Sequence, residues 1–416
     1  MKLVIIGGGS SYTPELIGGL IQNLSAFPIR EVCLMDINEK RLEILTGMSQ
    51  RMLRRAGVEV KVTGTTDQRK SLVGADFVNC LIRVGGMDAR IQDERIPFSF
   101  GLIGQETTGP GGMMKALRTI PVMLRLAHDM EEICPEAWLI NYTNPSGIIS
   151  EALGKHSRVK YVSLCSGPDH WISEIFRLMG ADPLRANVDW IGLNHLGFAV
   201  RVFVDGKDVT PQAIDAVAQH WPVDAEWIET LGAIPASYLR YFYHNGLVVE
   251  EAQQPGYQTR GEQVKKIETE LLKLYADPDL DEKPDLLKQR GGGGYSETAF
   301  ATMRAIYHNS GERLIVQALN RGAVDDLPGD VSVEIACVLD RLGPHPIHFG
   351  EIPLRIRGII QSVKAYESLT VAAAVCGSRQ MTMQALMTHP LIPSWEVAKP
   401  LLERLLEANR PWLPWA

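Results

Sequence analysis

The sequence predicts an α/β fold in which an N-terminal, Rossmann-like, doubly wound parallel sheet is followed by an α+β domain. Three observations indicate this fold: the chain opens with a strand that runs into a glycine turn, strands and helices then alternate to about residue 165, and the alternation stops beyond that point. With 416 residues the chain exceeds one ordinary core. We therefore expect two domains, residues 1–165 and 166–416.

The first element is an apolar run at residues 3–6, typical of a strand buried on both faces of a parallel sheet. The turn after it consists of five small residues: Gly7, Gly8, Gly9, Ser10 and Ser11. A helix then begins near Pro14, and a strand, a glycine turn and a helix N-terminus together can bind the pyrophosphate of a dinucleotide. This region is the predicted nucleotide site.

Asp36 supports the choice of NAD as the nucleotide. It ends the next predicted strand, residues 31–35, where a carboxylate would bind a ribose 2′-hydroxyl and repel a 2′-phosphate. The glycine fingerprint is incomplete, because Tyr12 stands where a third glycine is usual. An ordinary glycine turn followed by a surface aspartate is the alternative.

Further predicted elements follow in order. Helical apolar spacing covers residues 14–24, 39–55 and 113–133, and strands are predicted at 60–62, 74–82, 137–140 and 161–164. Residues 90–95 are predicted as a loop, and the glycine-rich segment 101–112 as a wrap around a ligand or a subunit neighbour rather than a core element. Beyond residue 166 we expect antiparallel strands at 189–193 and 199–204, a candidate mobile loop at 278–294, and helices at 231–243, 258–275, 298–307, 355–375 and 395–408.

Composition excludes several classes of partner. A hydrophobic content of 45% and a charged content of 22% are those of a globular protein, and the formal charge of −7 argues against nucleic acid or an anionic membrane as a partner. The sequence has neither a long apolar run nor a signal-peptide pattern, so we expect a cytoplasmic protein. The six cysteines are scattered singly, which predicts reduced thiols rather than disulfides.

Two asparagines follow the predicted strand 137–140. Asn141 and Asn144 would face the nucleotide crevice, since ligands lie at the carboxyl ends of strands in open α/β sheets. Turn chemistry around Asn144 and Pro145 explains the same residues equally well.

Several spaced motifs, in one order along the chain, resemble glycoside hydrolase family 4, the NAD- and metal-dependent glycosidases, and most closely its 6-phospho-β-glucosidase branch. The motifs are G-G-G-S-S-Y-T-P at 7–14, I-G-Q-E-T-T-G-P-G-G at 103–112, N-Y-T-N-P-S-G at 141–147, G-L-N-H-L at 192–196, Y-L-R-Y at 238–241, and R-G-G at 290–292 with Y-S at 295–296. Together they span most of the chain.

The resemblance implies a set of site residues. Cys165 and His195 would hold a divalent metal, usually Mn²⁺, and the sugar's own oxygens would complete its ligand shell. NAD would take a hydride from C3 of the sugar, and Tyr238 would then remove the C2 proton before elimination, water addition and return of the hydride. Asn144 would contact sugar hydroxyls, and Arg90 would orient the substrate or its phosphate. The expected substrate is thus a small 6-phosphorylated glycoside, and the expected assembly is a homodimer or homotetramer.

Taken singly, each of these residues has a simpler explanation. Cys165 could be a small core residue, His195 a hydrogen-bonded turn histidine, and Arg90 a surface or interface arginine. Tyr238 could belong to an amphipathic aromatic helix, with Tyr241 as its nearest competitor for the role of base. A phenol that acts as a base needs a nearby cation, and Arg240 or the metal could supply it.

One position departs from the family pattern. Members acting on 6-phosphoglucosides usually carry Asn after the metal-binding cysteine, whereas this chain has Ser166 there, which we assign to substrate binding. Serine lacks the two-sided hydrogen bonding of an amide and cannot act as an acid near pH 7. The departure leaves open the sugar, its anomer and its phosphate, and Asp169 is the candidate for a general acid.

Two other functions compete with hydrolysis. One is a simple NAD-dependent sugar dehydrogenase, because the predicted nucleotide domain is like that of lactate and malate dehydrogenases. The other is a binding protein that senses NAD without turnover.

Overall fold

The computed structural model describes residues 1–221, 224–291 and 293–415. Its N-terminal half is a parallel sheet of β1 (Lys2–Ile6), β2 (Glu31–Met35), β3 (Lys61–Thr65), β4 (Phe77–Cys80), β5 (Trp138–Asn141) and β6 (Lys160–Ser163). The spatial order is β3-β2-β1-β4-β5-β6, the doubly wound arrangement. The strand order reverses between β1 and β4, and nucleotide sites of such sheets lie at this switch point.

Helices connect these strands and cover the sheet. They are α1 (Thr13–Asn23), α2 (Glu39–Arg55), α3 (Gln68–Leu72), α4 (Gly86–Ser99), α5 (Gly109–Ile133), α6 (Ser146–His156) and α7 (Gly167–Met179). The predicted helix 39–55 is confirmed, and α1 lies within one residue of its prediction at both ends.

The sheet continues without interruption into the C-terminal half. Its further strands are β7 (Ala186–Leu193), β8 (Leu196–Val204), β9 (Lys207–Asp208), β10 (Ile234–Pro235), β11 (Glu312–Leu319), β12 (Ser332–Asp340) and β13 (Gly343–Pro346). β11 joins the parallel half by pairing antiparallel with β6, with Gln317 opposite Ser163. The predicted fold class is confirmed, while a domain boundary at residue 166 stays a prediction because one sheet spans both parts.

The helices of the C-terminal half are α8 (Thr210–His220), α9 (Ala225–Leu231), α10 (Arg240–Tyr243), α11 (Asn245–Ala252), α12 (Arg260–Tyr275), α13 (Leu286–Gln289), α14 (Tyr295–His308), α15 (Leu354–Cys376), α16 (Arg379–Thr388) and α17 (Trp395–Asn409). None of the described helices combines the length and apolar character that crossing a bilayer requires.

Three local predictions were wrong. Residues 90–95 form part of α4 rather than a loop, because buried ion pairs there, such as Arg118 with Asp93, replace the apolar spacing expected of a helix. The predicted helix 231–243 is broken, since Gly232 ends α9 in a left-handed conformation (φ +56°) and Pro235 lies in β10. Strands β11 and β12 were missed because this part of the sequence was expected to be mainly helical.

The glycine-rich segment 101–112 was also only partly understood. Its last four residues open α5 and are buried. A Cβ at Gly111 would lie 2.5 Å from the Gln105 carbonyl oxygen, and one at Gly112 would lie 2.5 Å from the Thr107 carbonyl carbon. Glycine is therefore needed here because the loop at 105–107 packs directly on the helix backbone.

A buried histidine after α16 makes stability depend on pH. Burial lowers the pKa of His389 from 6.5 to about 3. The neutral form is thus favoured in the folded state, and the stability it provides is full above pH 6.5 and is lost as the pH falls towards 3, by up to ~1.4 kcal/mol per pH unit.

We expect a His389→Asn variant to lose this dependence. Asparagine can keep the hydrogen bond that the imidazole accepts from the Leu391 amide, but it does not titrate. The difference in Tm between wild type and variant should therefore shrink from pH 7 to pH 5. His170→Asn, at an exposed position, is the control, and an unchanged Tm difference across this range would contradict the prediction.

Candidate functional site

The glycine turn packs closely on the end of β2. The Gly7 and Gly8 amides both donate to the Met35 carbonyl oxygen (2.9 and 2.8 Å), and the Gly9 amide donates to Asp36 Oδ2 (2.9 Å). A Cβ on Gly9 would lie 2.8 Å from the Asp36 carboxylate. The turn and the carboxylate chosen as nucleotide-binding residues are thus neighbours at the switch point of the sheet.

The two serines of the turn differ in environment. Ser10 is half-buried, and its hydroxyl accepts from the Tyr12 amide (3.2 Å). Ser11 is fully buried, donates to Glu268 Oε1 (3.1 Å) and accepts from Arg290 Nε (2.7 Å). Ser11 therefore links the nucleotide turn to the C-terminal half. Gly292, in the motif that follows Arg290, lies outside the described residues.

Cys165 and His195 come together through Asn194. β7 and β8 form a hairpin whose two-residue turn is Asn194-His195, with His195 in a left-handed conformation (φ 64°). Burial raises the pKa of the Cys165 thiol and the nearby Asn194 side chain lowers it, and the thiol accepts from the Gly167 amide (3.3 Å). The two metal-ligand candidates, 30 positions apart in sequence, thus flank one asparagine.

The imidazole of His195 is held on two sides. Its Nδ1 lies 2.7 Å from Thr107 Oγ1, and its ring stacks on that of Tyr238 with 3.9 Å between centroids and 11° between planes. Burial lowers the pKa of His195 to about 3, so the ring is neutral near pH 7. A neutral imidazole is the form that binds a metal.

Tyr238 lies in a short 3₁₀ helix, Ser237–Leu239, rather than in the regular helix that its spacing suggested. Burial raises the pKa of Tyr238, and the neighbouring Cys165 raises it further. Arg240 is exposed and pairs with Glu251 (3.3 Å). Its action on the Tyr238 phenol stays a prediction.

Arg90 is a buried, fully engaged residue rather than a surface arginine. It donates to Glu94 Oε1 (2.7 Å) and pairs with Glu106 Oε1 (2.9 Å). Burial alone would raise the pKa of Glu106, but the charges of Arg83, Arg90 and Lys115 hold it well below its usual value. Burial would lower the pKa of Arg90, but the charges of Glu106 and Glu94 raise it, and nearby Tyr238 acts in the same direction.

Asn144 and Ser166 are both half-buried. Among the described residues, the Asn144 amide makes only long hydrogen bonds, to the Tyr142 carbonyl (3.4 Å) and from the Ser146 amide (3.3 Å). Asn141 is instead fully buried, accepts from the Thr143 amide (2.9 Å) and donates to Ser163 Oγ (3.1 Å). Ser166 precedes α7 without capping it. Of the two asparagines, Asn144 has the more available side chain.

Asp169 lies in the first turn of α7. Its Oδ2 accepts from Thr298 Oγ1 (3.0 Å). Desolvation by neighbouring protein atoms raises the pKa of Asp169, although part of its side chain reaches solvent. A role as general acid stays a prediction.

Sequence reasoning missed Glu334. This fully buried carboxylate accepts from Trp190 Nε1 (3.1 Å), Gln317 Nε2 (2.5 Å) and Asn194 Nδ2 (3.4 Å), and burial raises its pKa to about 7. Glu334 thus contacts Asn194, the residue that precedes His195 and lies near Cys165. The signal was available, because Glu334 is a single charge within the apolar strand sequence S-V-E-I-A-C-V-L.

The donor set fits a catalytic rather than a structural metal. No cluster of three or more His, Cys, Asp or Glu side chains suited to a metal exists within the described ranges, so a metal here would take its other ligands from substrate or water. Burial raises the pKa of the Cys165 thiol, so metal binding would release a proton from it. Thiolate and imidazole by affinity favour Zn²⁺, and oxygen ligands from a sugar would shift the preference towards Mn²⁺.

Comparison with known proteins agrees with this arrangement. Residues 2–180 match the model of family 4 glycosyl hydrolases, and residues 190–392 match the C-terminal domain of the same family. A probable 6-phospho-beta-glucosidase of Bacillus subtilis (strain 168) is 42% identical, and the match covers 100% of this chain and 97% of that protein.

Solved structures show the same likeness. The 6-phospho-beta glucosidase of Thermotoga maritima, solved with manganese, NAD+ and glucose-6-phosphate, has a TM-score of 0.93 and 34% identity, and the match covers 99% of each chain. A malate dehydrogenase of Cryptosporidium parvum, at 14% identity, 93% coverage of this chain, 99% coverage of its own and a TM-score of 0.53, shares the fold alone. The chain therefore belongs to glycoside hydrolase family 4.

Proposed function

We propose that this protein is a 6-phospho-β-glucosidase that requires NAD and a divalent metal such as Mn²⁺. The observation that carries the proposal is the convergence of Cys165, Asn194, His195 and Tyr238 at one place. When bound, NAD supplies a hydride acceptor and the metal supplies a Lewis acid. The nucleotide would lie on the Gly7–Gly9 turn with its ribose at Asp36, as a homologue solved with NAD+ makes reasonable.

Tyr238 is the proposed proton acceptor. Its half-buried phenol stands over His195, so it would face a sugar held at the metal ligands. Because burial raises the pKa of Tyr238, it needs cationic neighbours to act as a base. Arg90 and Arg260 lie near enough to Tyr238 to interact with it electrostatically, so they are the proposed source of part of this field.

Arginines around α12 form the proposed 6-phosphate site. Arg260 is exposed at the start of α12 and donates to the carbonyl oxygens of Gln289 (2.9 Å) and Arg290 (3.0 Å). Its pKa is lowered by burial and then by repulsion from Arg90 and Arg290, so these two cations lie close to it. An anion between them would relieve this repulsion.

We expect Arg260→Gln to raise KM for a phosphorylated substrate by about 10- to 100-fold, the effect of losing one charge-assisted hydrogen bond. On the same substrate without its phosphate, Arg260→Gln and wild type should be equally poor catalysts. Arg240→Gln serves as control, because Arg240 is also exposed but pairs with Glu251. Equal effects of both substitutions would argue against a phosphate site at Arg260.

An assay of aryl glycosides tests the proposed function itself. With NAD and Mn²⁺, the protein should release phenol from a 6-phospho-β-glucoside without net NADH, and excess chelator should stop the reaction. NADH that accumulates in proportion to product would show a dehydrogenase instead. The assigned substrate would be rejected if the protein turned over the α-anomer or the unphosphorylated glycoside faster than the 6-phospho-β-glucoside.

Two further properties belong to the proposal. A cytoplasmic location would suit a reactive metal-binding thiol, since thiols stay reduced there. We also propose a homodimer or homotetramer, which light scattering of the purified protein would establish.

A further inference from the structure

A short chain of hydrogen bonds leads to His195 from the loop before α5. Thr107 Oγ1 lies 2.7 Å from His195 Nδ1 and 2.8 Å from Gln105 Oε1. The Thr107 backbone amide also donates to Gln105 Oε1 (2.5 Å). Because a backbone N–H can only donate, the Gln105 atom that faces it must be the amide oxygen.

The direction of the remaining hydrogen bonds follows. A hydroxyl has one hydrogen, and Gln105 Oε1 has none to give. If Thr107 donated to His195, its oxygen and that of Gln105 would face each other at 2.8 Å with no hydrogen between them. Thr107 therefore donates to Gln105 and accepts from the Nδ1–H group of His195.

We propose that Gln105 and Thr107 are positioning residues that keep His195 in the Nδ1–H tautomer and so leave the lone pair on Nε2. This inference rests on the metal role proposed for His195, because only a ring nitrogen without hydrogen can bind a metal. A hydrogen-bond partner on the opposite nitrogen is the usual way in which proteins orient such a ligand. Stacking on Tyr238 fixes the plane of the His195 ring, and the hydrogen bond to Thr107 fixes which ring nitrogen carries the hydrogen.

His389 provides an internal contrast. It is also buried, but its Nδ1 accepts from the Leu391 amide (3.2 Å), which requires the Nε2–H tautomer. The two buried histidines should therefore carry their hydrogens on opposite nitrogens. The Nδ1 partners differ in kind, a hydroxyl oxygen that accepts for His195 and an amide that donates for His389.

Nitrogen NMR of the metal-free protein labelled with ¹⁵N-histidine tests the tautomers directly. We expect His195 to show a hydrogen on Nδ1 and His389 to show one on Nε2. Thr107→Val should remove the preference at His195, and Thr107→Ser should keep it. A hydrogen on Nε2 of His195 in wild type, or an unchanged signal in Thr107→Val, would overturn the proposal.

Binding of Mn²⁺, followed by electron paramagnetic resonance, gives the second measurement. Thr107→Val should weaken binding by about 10- to 100-fold, with NAD binding unchanged, while Thr107→Ser should bind as wild type does. Gln105→Met is the second test variant, because it frees the Thr107 hydrogen to point at His195, and it should also weaken binding. Wild-type affinity in both Thr107→Val and Gln105→Met would reject a positioning role.

The two proposals can fail separately. If wild-type protein shows the expected tautomer but binds no Mn²⁺, the assigned metal site is wrong while the role of Thr107 in setting the tautomer stands. If Mn²⁺ binds and the tautomer is the opposite one, the positioning role is wrong and the metal site stands.

Discussion

Tyr238→Phe should lower kcat by about 10²- to 10⁴-fold, the usual contribution of a positioned acid or base. The phenylalanine ring can keep the 3.9 Å stacking on His195, so the substitution removes the hydroxyl and little else. Affinities for NAD and Mn²⁺ should therefore stay as in wild type.

Isotope exchange isolates the step that the phenol performs. In D₂O, with NAD and Mn²⁺ present, wild type should exchange the C2 hydrogen of the substrate, and Tyr238→Phe should not. Tyr241→Phe is the matched control, since this tyrosine is the neighbour whose ring lies 5.9 Å from that of Tyr238. A larger loss of exchange in Tyr241→Phe than in Tyr238→Phe would assign the base to Tyr241 instead.

The nucleotide half of the fold could be predicted because its signals are local. Apolar strand sequences, helical spacing and the glycines at 7–9 each depend on a few adjacent residues. The structure adds a reason that the sequence did not reveal. Gly8 and Gly9 are required by contact with β2, where a Cβ would lie 2.7 Å from Leu34 or 2.8 Å from Asp36, as well as by any nucleotide.

Two of the errors, at α4 and at Glu334, have one physical cause, which is that buried polar groups disguise the periodicity of an element. In α4, Arg90, Asp93 and Glu94 are all buried because each has an oppositely charged partner, so the segment looked like an exposed loop. Glu334 was overlooked in β12 for a similar reason. Its three hydrogen-bond donors lie in β7, in β11 and in the turn between β7 and β8, and no local pattern reveals them.

The site itself could be predicted only by resemblance. Cys165, His195 and Tyr238 have no shared spacing, and each has a simple structural explanation when it is considered alone. Tertiary structure unites them through Asn194 and through the stacking of His195 on Tyr238. Thr107 belonged to a quoted motif, but its contact with His195 joins residues 88 positions apart and could not be foreseen.

Cys165→Ser should weaken Mn²⁺ binding by more than about 100-fold, because even the outer partners of metal ligands typically contribute 10- to 100-fold. A serine hydroxyl can still accept from the Gly167 amide and meet the Asn194 side chain, so the local backbone should be retained. A hydroxyl is a far poorer metal ligand than a thiolate, and turnover at low Mn²⁺ should be lost with it.

Cys376→Ser is the matched control, since its thiol is exposed at the end of α15. Mild peroxide should inactivate both wild type and Cys376→Ser, and reductant with Mn²⁺ should restore activity. The reason is the same in both proteins, because Cys165 can no longer bind the metal once its thiol is oxidised. NAD binding at the glycine turn should survive in Cys165→Ser and so show that the fold is intact. Wild-type Mn²⁺ affinity in Cys165→Ser, or protection from peroxide in Cys376→Ser, would place the essential thiol elsewhere.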